Sequence, residues 1–306
     1  MNLAVIINPF AGRRPSRWRA DTLRSALGPL GIEVSVHVTG ARGDAQRLAR
    51  ELVPHADVLA VIGGDGTVHE VANGVMPHPI PIAVIPSGSG NDLASLVDCP
   101  KTPRDLAGVL ERGWAAEFDV LDFGDRFCVN SAGLGFEGLV NRLSHGLARP
   151  AGRLRYAVAL IKALGSMCCP DFTIVTSRGD EISGEQLLVS IGNGRRSGGA
   201  FHLTPQAFPD DGLIDVCIIE PMSRAKMLRI MPGAFDGSHT RRPEVRMLRV
   251  ESLTVEAASA YPMHIDGEYV DATPDRREIS VRPGALKVMC NPSTRNKLVK
   301  GLRRVL

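Results

Sequence analysis

Five apolar residues, Val58-Leu59-Ala60-Val61-Ile62, run directly into Gly63-Gly64-Asp65-Gly66-Thr67. A short run without polar alternation suits a strand covered on both faces, a situation found almost only in the parallel sheets of α/β proteins. The glycines let the backbone turn tightly and approach a neighbour with no Cβ in the way. Thr67 and Glu70 have the spacing of a capping box opening a helix. Strand, glycine turn and helix N-terminus together present backbone N–H groups and a partial positive charge to an anion such as phosphate. The same string also serves as a plain tight connection, so the turn alone decides nothing.

Asp65 narrows the choice. A carboxylate beside a phosphate is repelled unless a cation or ordered water lies between them, and no Gly-Lys-Ser/Thr supplies a Walker lysine. The loop therefore predicts a Mg²⁺-nucleotide or a bridging water network. On this reading Asp65 acts through a cation and not through packing, so Asp65→Asn leaves the fold intact.

Further strands and helices alternate around this loop. Residues 3–7 read as a strand, followed by Asn8, Gly12, Arg13 and Arg14; 19–27 as a helix; 33–39 as a strand ending at Thr39; 44–52 as a helix. Residues 80–85 form another buried run, followed by Gly88-Ser89-Gly90-Asn91-Asp92, with Asn91 and Asp92 placed to cap a further helix. Loops after neighbouring parallel strands gather at one sheet edge, where ligands of such sheets bind. From Glu117 the pattern changes to strands: 118–123, 126–131, 171–177, 186–191, 213–219, 250–256 and 278–281, interrupted by one helix at 154–164. That order predicts an α/β domain over 1–120, a mainly β domain over 121–290, and a basic helix over 291–306 docking back on the first domain.

Composition excludes several classes. The 306 residues are 44% hydrophobic and 23% charged, and a net charge of +3 gives no argument for nucleic acid. No apolar stretch is long enough to span a bilayer, and the first residues carry no basic leader. The cysteines lack Cys-x-x-Cys spacing, which favours reduced thiols and a cytoplasmic setting.

The string from Gly63 to Thr67 with Glu70 and Asn73-Gly74, followed by Gly88-Ser89-Gly90-Asn91-Asp92, resembles the nucleotide-binding loops of the diacylglycerol kinase catalytic family, which includes bacterial lipid kinases and sphingosine kinases. Ser89 replaces the usual Thr, keeping its hydroxyl. The shorter Gly-Gly-Asp-Gly-Thr core is shared with NAD kinases and phosphofructokinases. Asn130 to Glu137, with Glu in place of the usual final Asp, also resembles the family, as do Asn193 to Gly199, Asp210-Asp211-Gly212-Leu213 and His264-Ile265-Asp266-Gly267-Glu268. The resemblance runs from Asn8 to about Met289.

The resemblance implies a Rossmann-like nucleotide-binding domain of NAD kinase or diacylglycerol kinase type, followed by a β-sandwich. It implies a nucleotide held by Asn8, Gly12, Arg13, Thr39, Gly63, Gly64, Asp65, Gly66, Thr67, Glu70, Gly88, Ser89, Asn91 and Asp92. Asp65 and Asp92, joined by Asp119, would orient Mg²⁺; Asp211, with the carbonyls of Phe208 and Leu213, would bind a structural Mg²⁺. Glu268 would be the general base, and Asp65 its catalytic partner. The activity implied is ATP- and Mg²⁺-dependent phosphorylation of a lipid hydroxyl, diacylglycerol or a related lipid, by an enzyme peripheral to a membrane. A basic and apolar segment around Arg142, Arg149, Arg153 and Arg155 would meet the membrane, and a homodimer is left open. Two alternatives stay open: an NAD kinase-like enzyme on a soluble dinucleotide, and a regulator that binds lipid or nucleotide without turnover.

Overall fold

The structure, a computed structural model, describes residues 1–12, 18–76, 78–147, 153–272, 276–300 and 302–304. The chain forms two compact units: Met1–Val120 with Pro283–Leu306, and Leu121–Arg282.

In the first unit, β1 (Asn2–Ile7), β2 (Glu33–Val38), β3 (Val58–Gly63) and β4 (Ile82–Pro86) are parallel, in the order β2-β1-β3-β4. Helices α1 (Ala20–Leu27), α2 (Asp44–Leu52) and α3 (Asp65–Val75) connect them, and α4 (Pro103–Arg112) leads into strand β5 (Trp114–Asp122). Every residue of β3 is buried, as its apolar run requires. Leu3, Val5, Ile7, Val58, Ala60 and Ile62 form one core with Leu23 and Leu27 of α1 and Leu106 and Leu110 of α4.

The second unit contains β6 (Phe127–Cys128), β7 (Ser131–Gly135), α5 (Phe136–His145), α6 (Arg153–Gly165), β8 (Asp171–Thr176) and β9 (Glu181–Glu185). Then follow β10 (Leu188–Gly192), β11 (Ile214–Ile219), α7 (Arg224–Ile230), β12 (Val245–Val250), β13 (Ser252–Ala257), β14 (Tyr261–Ile265), β15 (Glu268–Ala272) and the first half of β16 (Arg276–Met289), whose residues from Pro283 on belong to the first unit. One antiparallel sheet runs β12-β11-β10-β7-β14-β15; in the other, β13 lies between β16 and β8, with β9 outside. Alternation along the strands sorts the side chains. Val189, Ile191, Val216 and Ile218 pack with Phe172, Ile174, Leu253 and Val255 between the sheets, making the sandwich. Their neighbours Leu188, Cys217 and Ile219 instead pack against Phe136, Leu139 and Ala159 of α5 and α6.

Several elements differ from the sequence reading. The stretch read as a strand over 126–131 is a two-residue strand, β6, and a separate strand, β7; 250–256 is split between β12 and β13. Helices α5 and α7 were not expected. The small residues Ser131-Ala132-Gly133-Leu134-Gly135 carry little strand signal, and Gly135 at φ 72° turns the chain directly from strand into helix. Asn91 and Asp92 are followed by a single 3₁₀ turn, Leu93–Ser95, and no α-helix. Among the described residues of the tail there is likewise no α-helix: Pro292–Lys297 is a 3₁₀ turn, and β17 (Leu302–Arg304) pairs antiparallel with Trp114–Ala116 of β5. The tail belongs to the first unit, which begins its second segment at Pro283 and not at 291. Among the described residues, no helix is long and apolar enough to cross a membrane.

Candidate functional site

At the carboxyl edge of the first unit's parallel strands, the loops after β1, β3 and β4 pack on one another. Glycine makes this possible, for a reason different from ligand approach. A Cβ on Gly12, which has φ +63°, would overlap the Ser87 carbonyl oxygen; one on Gly88 would lie 2.6 Å from Gly64 Cα. Ser87 N–H donates to the Gly63 carbonyl at 2.8 Å, and Asn8 N–H to the Ile62 carbonyl at 2.9 Å. Asn8 also donates from Nδ2 to Thr67 Oγ1 at 2.9 Å, so these two predicted ligands hold each other. Thr67 is therefore inside α3 and not its cap, which is Gly64. Thr39 N–H bonds the Ile7 carbonyl at 3.0 Å, which places Thr39 beside the same edge.

Asp65 ties the two glycine loops together. Its Oδ2 accepts Asn91 N–H at 2.7 Å, and its Oδ1 accepts Asp92 N–H at 2.6 Å. Asn91, in the left-handed region at φ 55°, takes both backbone groups of Gly88: N–H at 3.0 Å and carbonyl at 2.7 Å. Asp65 thus carries a structural task that the sequence did not reveal. The cation expectation still fits the donors. A Cβ on Gly90 would strike Asp65 Oδ2 and lie 3.8 Å from Asp92 Oδ2, so two carboxylates flank one glycine. One or two carboxylates completed by substrate phosphates is the usual protein share of a Mg²⁺ site.

Other predicted residues do different work. Glu70 accepts Gly43 N–H at 2.9 Å and Ala45 N–H at 3.1 Å, so it caps α2 from α3 and closes no capping box with Thr67. Asp119, fully buried, accepts Gly284 N–H at 2.7 Å. Ser89 is exposed at the loop tip. Arg13 and Arg14 lie outside the described residues, as does Arg149.

In the second unit, Asp266 and Gly267 form the turn between β14 and β15, with φ of 48° and 82° and Ile265 opposite Glu268. Two central residues at positive φ make the hairpin turn that matches strand twist. The Asp266 carboxylate is buried and accepts the N–H groups of Val129 at 2.7 Å, Asn130 at 2.8 Å and Ser131 at 3.1 Å. These amides are more than a hundred residues away in sequence. Glu268, half-buried, is the first residue of β15. The motifs at 130–137 and 193–199 meet: Asn130 Nδ2 donates to the Arg196 carbonyl and Asn193 Nδ2 to the Val129 carbonyl, both at 2.8 Å.

The structural Mg²⁺ implied for Phe208, Asp211 and Leu213 does not fit. Asp211 Oδ1 accepts Leu213 N–H at 3.0 Å, and Oδ2 is bonded to the Arg249 guanidinium. Arg249 Nε also reaches Asp215 Oδ2 at 3.3 Å, across the β11–β12 register that pairs these two residues. A fixed positive charge already stands against both carboxylates, and it repels a second cation. Burial raises the Asp215 carboxyl to about 6, against the opposing pull of Arg249. The arginine lies in a stretch that no motif marks.

Two family models divide the chain as these sites do. The diacylglycerol kinase catalytic domain matches residues 2–123, and the YegS C-terminal NAD kinase beta sandwich-like domain matches residues 130–290. A protein of Mycobacterium tuberculosis named diacylglycerol kinase is 31% identical over 294 residues, 94% of each chain. The chain belongs to the diacylglycerol kinase and YegS-like family of lipid kinases. A Xanthomonas campestris member named "Probable lipid kinase YegS-like" is 31% identical over 83% of this chain and 90% of its own. The family fold is also that of a diacylglycerol kinase structure from Bacillus anthracis, at a TM-score of 0.69 and 20% identity, covering 96% of this chain and 98% of that one. In this lipid kinase the Asp65 clamp falls in the catalytic-domain match and the Asp266–Glu268 turn in the sandwich match.

Proposed function

We propose that this lipid kinase transfers the terminal phosphoryl group of ATP, with Mg²⁺, to the hydroxyl of diacylglycerol or a related lipid, and that Glu268 takes the hydroxyl proton. The observation carrying the role of Glu268 is the state of its neighbour. Asp266 is buried and its carboxylate is spent on three distant backbone amides, whereas Glu268, two residues on, is only half-buried at the start of β15. Phosphoryl transfer asks little covalent chemistry of a protein; positioning and charge do most of the work.

The α3 N-terminus and the glycine loops offer backbone N–H groups to the phosphates, and Asp65 and Asp92 are the residues that would hold the metal. Bound Mg²⁺ would neutralise and orient phosphate oxygens. Asp65 keeps the loop after β4 in register with the loop after β3. Glu268 accepts a proton that the lipid hydroxyl must lose as the new bond forms, help typically worth about 10² to 10⁴ in rate.

The diacylglycerol acceptor is supported by the names of the relatives. A membrane-surface setting is supported by α6, where Leu154 is 60% and Ile161 70% exposed, with Arg155 and Lys162 on the same short helix. Apolar side chains flanked by basic ones suit an anionic bilayer. The test is a labelled-ATP assay against a panel of lipid vesicles. Mg²⁺-dependent labelling of diacylglycerol or a related lipid is expected. Labelling of a soluble dinucleotide instead, or of nothing in the panel, would overturn the reading.

A further inference from the structure

The hairpin turn that carries Glu268 is gripped by a polar network that the phosphoryl-transfer reading does not use. In a two-residue turn the Gly267 N–H lies outside the strand ladder, and here it donates to His264 Nδ1 at 3.3 Å. The Gly267 carbonyl accepts from Asn141 Nδ2, on α5, at 2.8 Å. Both polar groups of one glycine are therefore fixed by side chains that are each only 4% exposed.

The imidazole is held in turn. Because Nδ1 accepts an N–H, the ring proton sits on Nε2, which points to Glu137 Oε1 at 3.2 Å. Ser197 donates its hydroxyl to the same carboxylate oxygen. The Glu137 carboxylate lies against Gly133 so closely that a Cβ there would overlap it, which fixes where the acid can be. A left-handed, non-glycine residue at Asp266 is costly unless its surroundings over-determine it. Asp266 is fixed by the amides of residues 129–131, and Gly267 by His264 and Asn141.

We propose that His264 and Asn141 are positioning residues for Glu268: by holding Gly267 at its N–H and its carbonyl, they set the direction in which the Glu268 side chain leaves the turn, and Glu137 sets the tautomer that lets His264 do so. The proposal rests on Glu268 being the base. Misplacing a catalytic group by about an ångström costs on the order of 10²-fold in rate, so a loosened turn is visible in turnover.

The two nitrogens of His264 can be separated by substitution. H264N places an acceptor oxygen near Nδ1 and keeps the Gly267 bond; H264Q places its amide near Nε2 and loses it. With labelled ATP and dioleoylglycerol in phosphatidylglycerol vesicles, H264Q is expected to lower kcat by roughly tenfold or more, with the KM for ATP unchanged, whereas H264N retains at least several-fold more turnover than H264Q. The double variant H264Q/E268Q is expected to be no slower than E268Q alone, because His264 acts only through Glu268. If E268Q is impaired but H264N and H264Q are equally active, or the double variant shows the full product of both losses, the positioning role is overturned. If E268Q itself turns over normally, the base assignment is what fails.

Discussion

Asp65 Oδ1 accepts the backbone N–H of Asp92 at 2.6 Å, so the loop after β3 holds the loop after β4 by a charged hydrogen bond. With the matching bond to Asn91 N–H, the carboxylate satisfies two amides at once. Asn in its place has one acceptor oxygen and turns an NH₂ donor towards an N–H donor. Hydrogen bonds to charged groups are worth about 1.5–3 kcal/mol. Asp65→Asn is therefore expected to abolish turnover and also to lower unfolding stability by about 2 kcal/mol, contrary to the sequence expectation of an intact fold. Denaturant unfolding at wild-type stability would show that the carboxylate serves only a cation.

Glu70 makes the opposite case. It is spent on the N–H groups of Gly43 and Ala45, at the start of α2. Glu70→Ala leaves those amides to water, and losing a cap of this kind costs about 1 kcal/mol. The KM for ATP should not change. A raised KM with unchanged stability would return Glu70 to the nucleotide site.

Arg249 tests the second metal. Its guanidinium bonds Asp211 and lies 3.3 Å from Asp215, a residue whose side chain is 1% exposed. In the absence of nucleotide, the thermal midpoint is expected to be the same in Mg²⁺ and in EDTA. Arg249→Met should cost about 2 kcal/mol by removing the charged hydrogen-bond donor from a buried carboxylate. A wild-type midpoint that climbs with Mg²⁺ would put a cation back at Asp211.

Asp98 anchors the tail. Its carboxylate bonds the Ser293 hydroxyl and lies 3.1 Å from Lys297 Nζ; Ser293 first, then Lys297, holds its carboxyl below the ordinary value of 3.8. A depressed carboxyl contributes stability that is present above its unfolded value and lost as pH falls through the folded one. The stability difference between wild type and Asp98→Asn should be level from neutral pH to about 5 and vanish at more acid pH. The side chain is 40% exposed, so salt should shrink the difference. A gap that widens as the solution is acidified would contradict the pairing.

The α/β core was legible because it is local. An apolar run such as 58–62 and the periodic helices at 19–27 and 44–52 each announce themselves within a dozen residues, and all three stand where expected. The hairpin at Asp266-Gly267 was equally open to reading. What stayed hidden is carried by pairs distant in sequence. Glu70 with Gly43, Asp266 with Val129, and Asp211 with Arg249 are set by tertiary packing, and no spacing rule encodes them. Glycine roles were half-read: close approach without a Cβ holds at Gly63 and Gly64, but the close neighbours are Thr67 and Gly88 of the chain itself. Helix α5 was missed because the small residues before it carry weak propensity of either kind.

The division of labour between Asp266 and Glu268 is the central claim, and kcat of two amide variants decides it. Glu268→Gln keeps size and hydrogen bonding but removes basicity, and is expected to lower kcat at least about 10²-fold with the KM for ATP nearly unchanged. Asp266→Asn turns a donor towards the amides of residues 129–131, so its expected loss is in unfolding stability, with kcat per folded molecule falling less than in Glu268→Gln. Near-normal turnover in Glu268→Gln, beside a folded but inactive Asp266→Asn, would contradict the account.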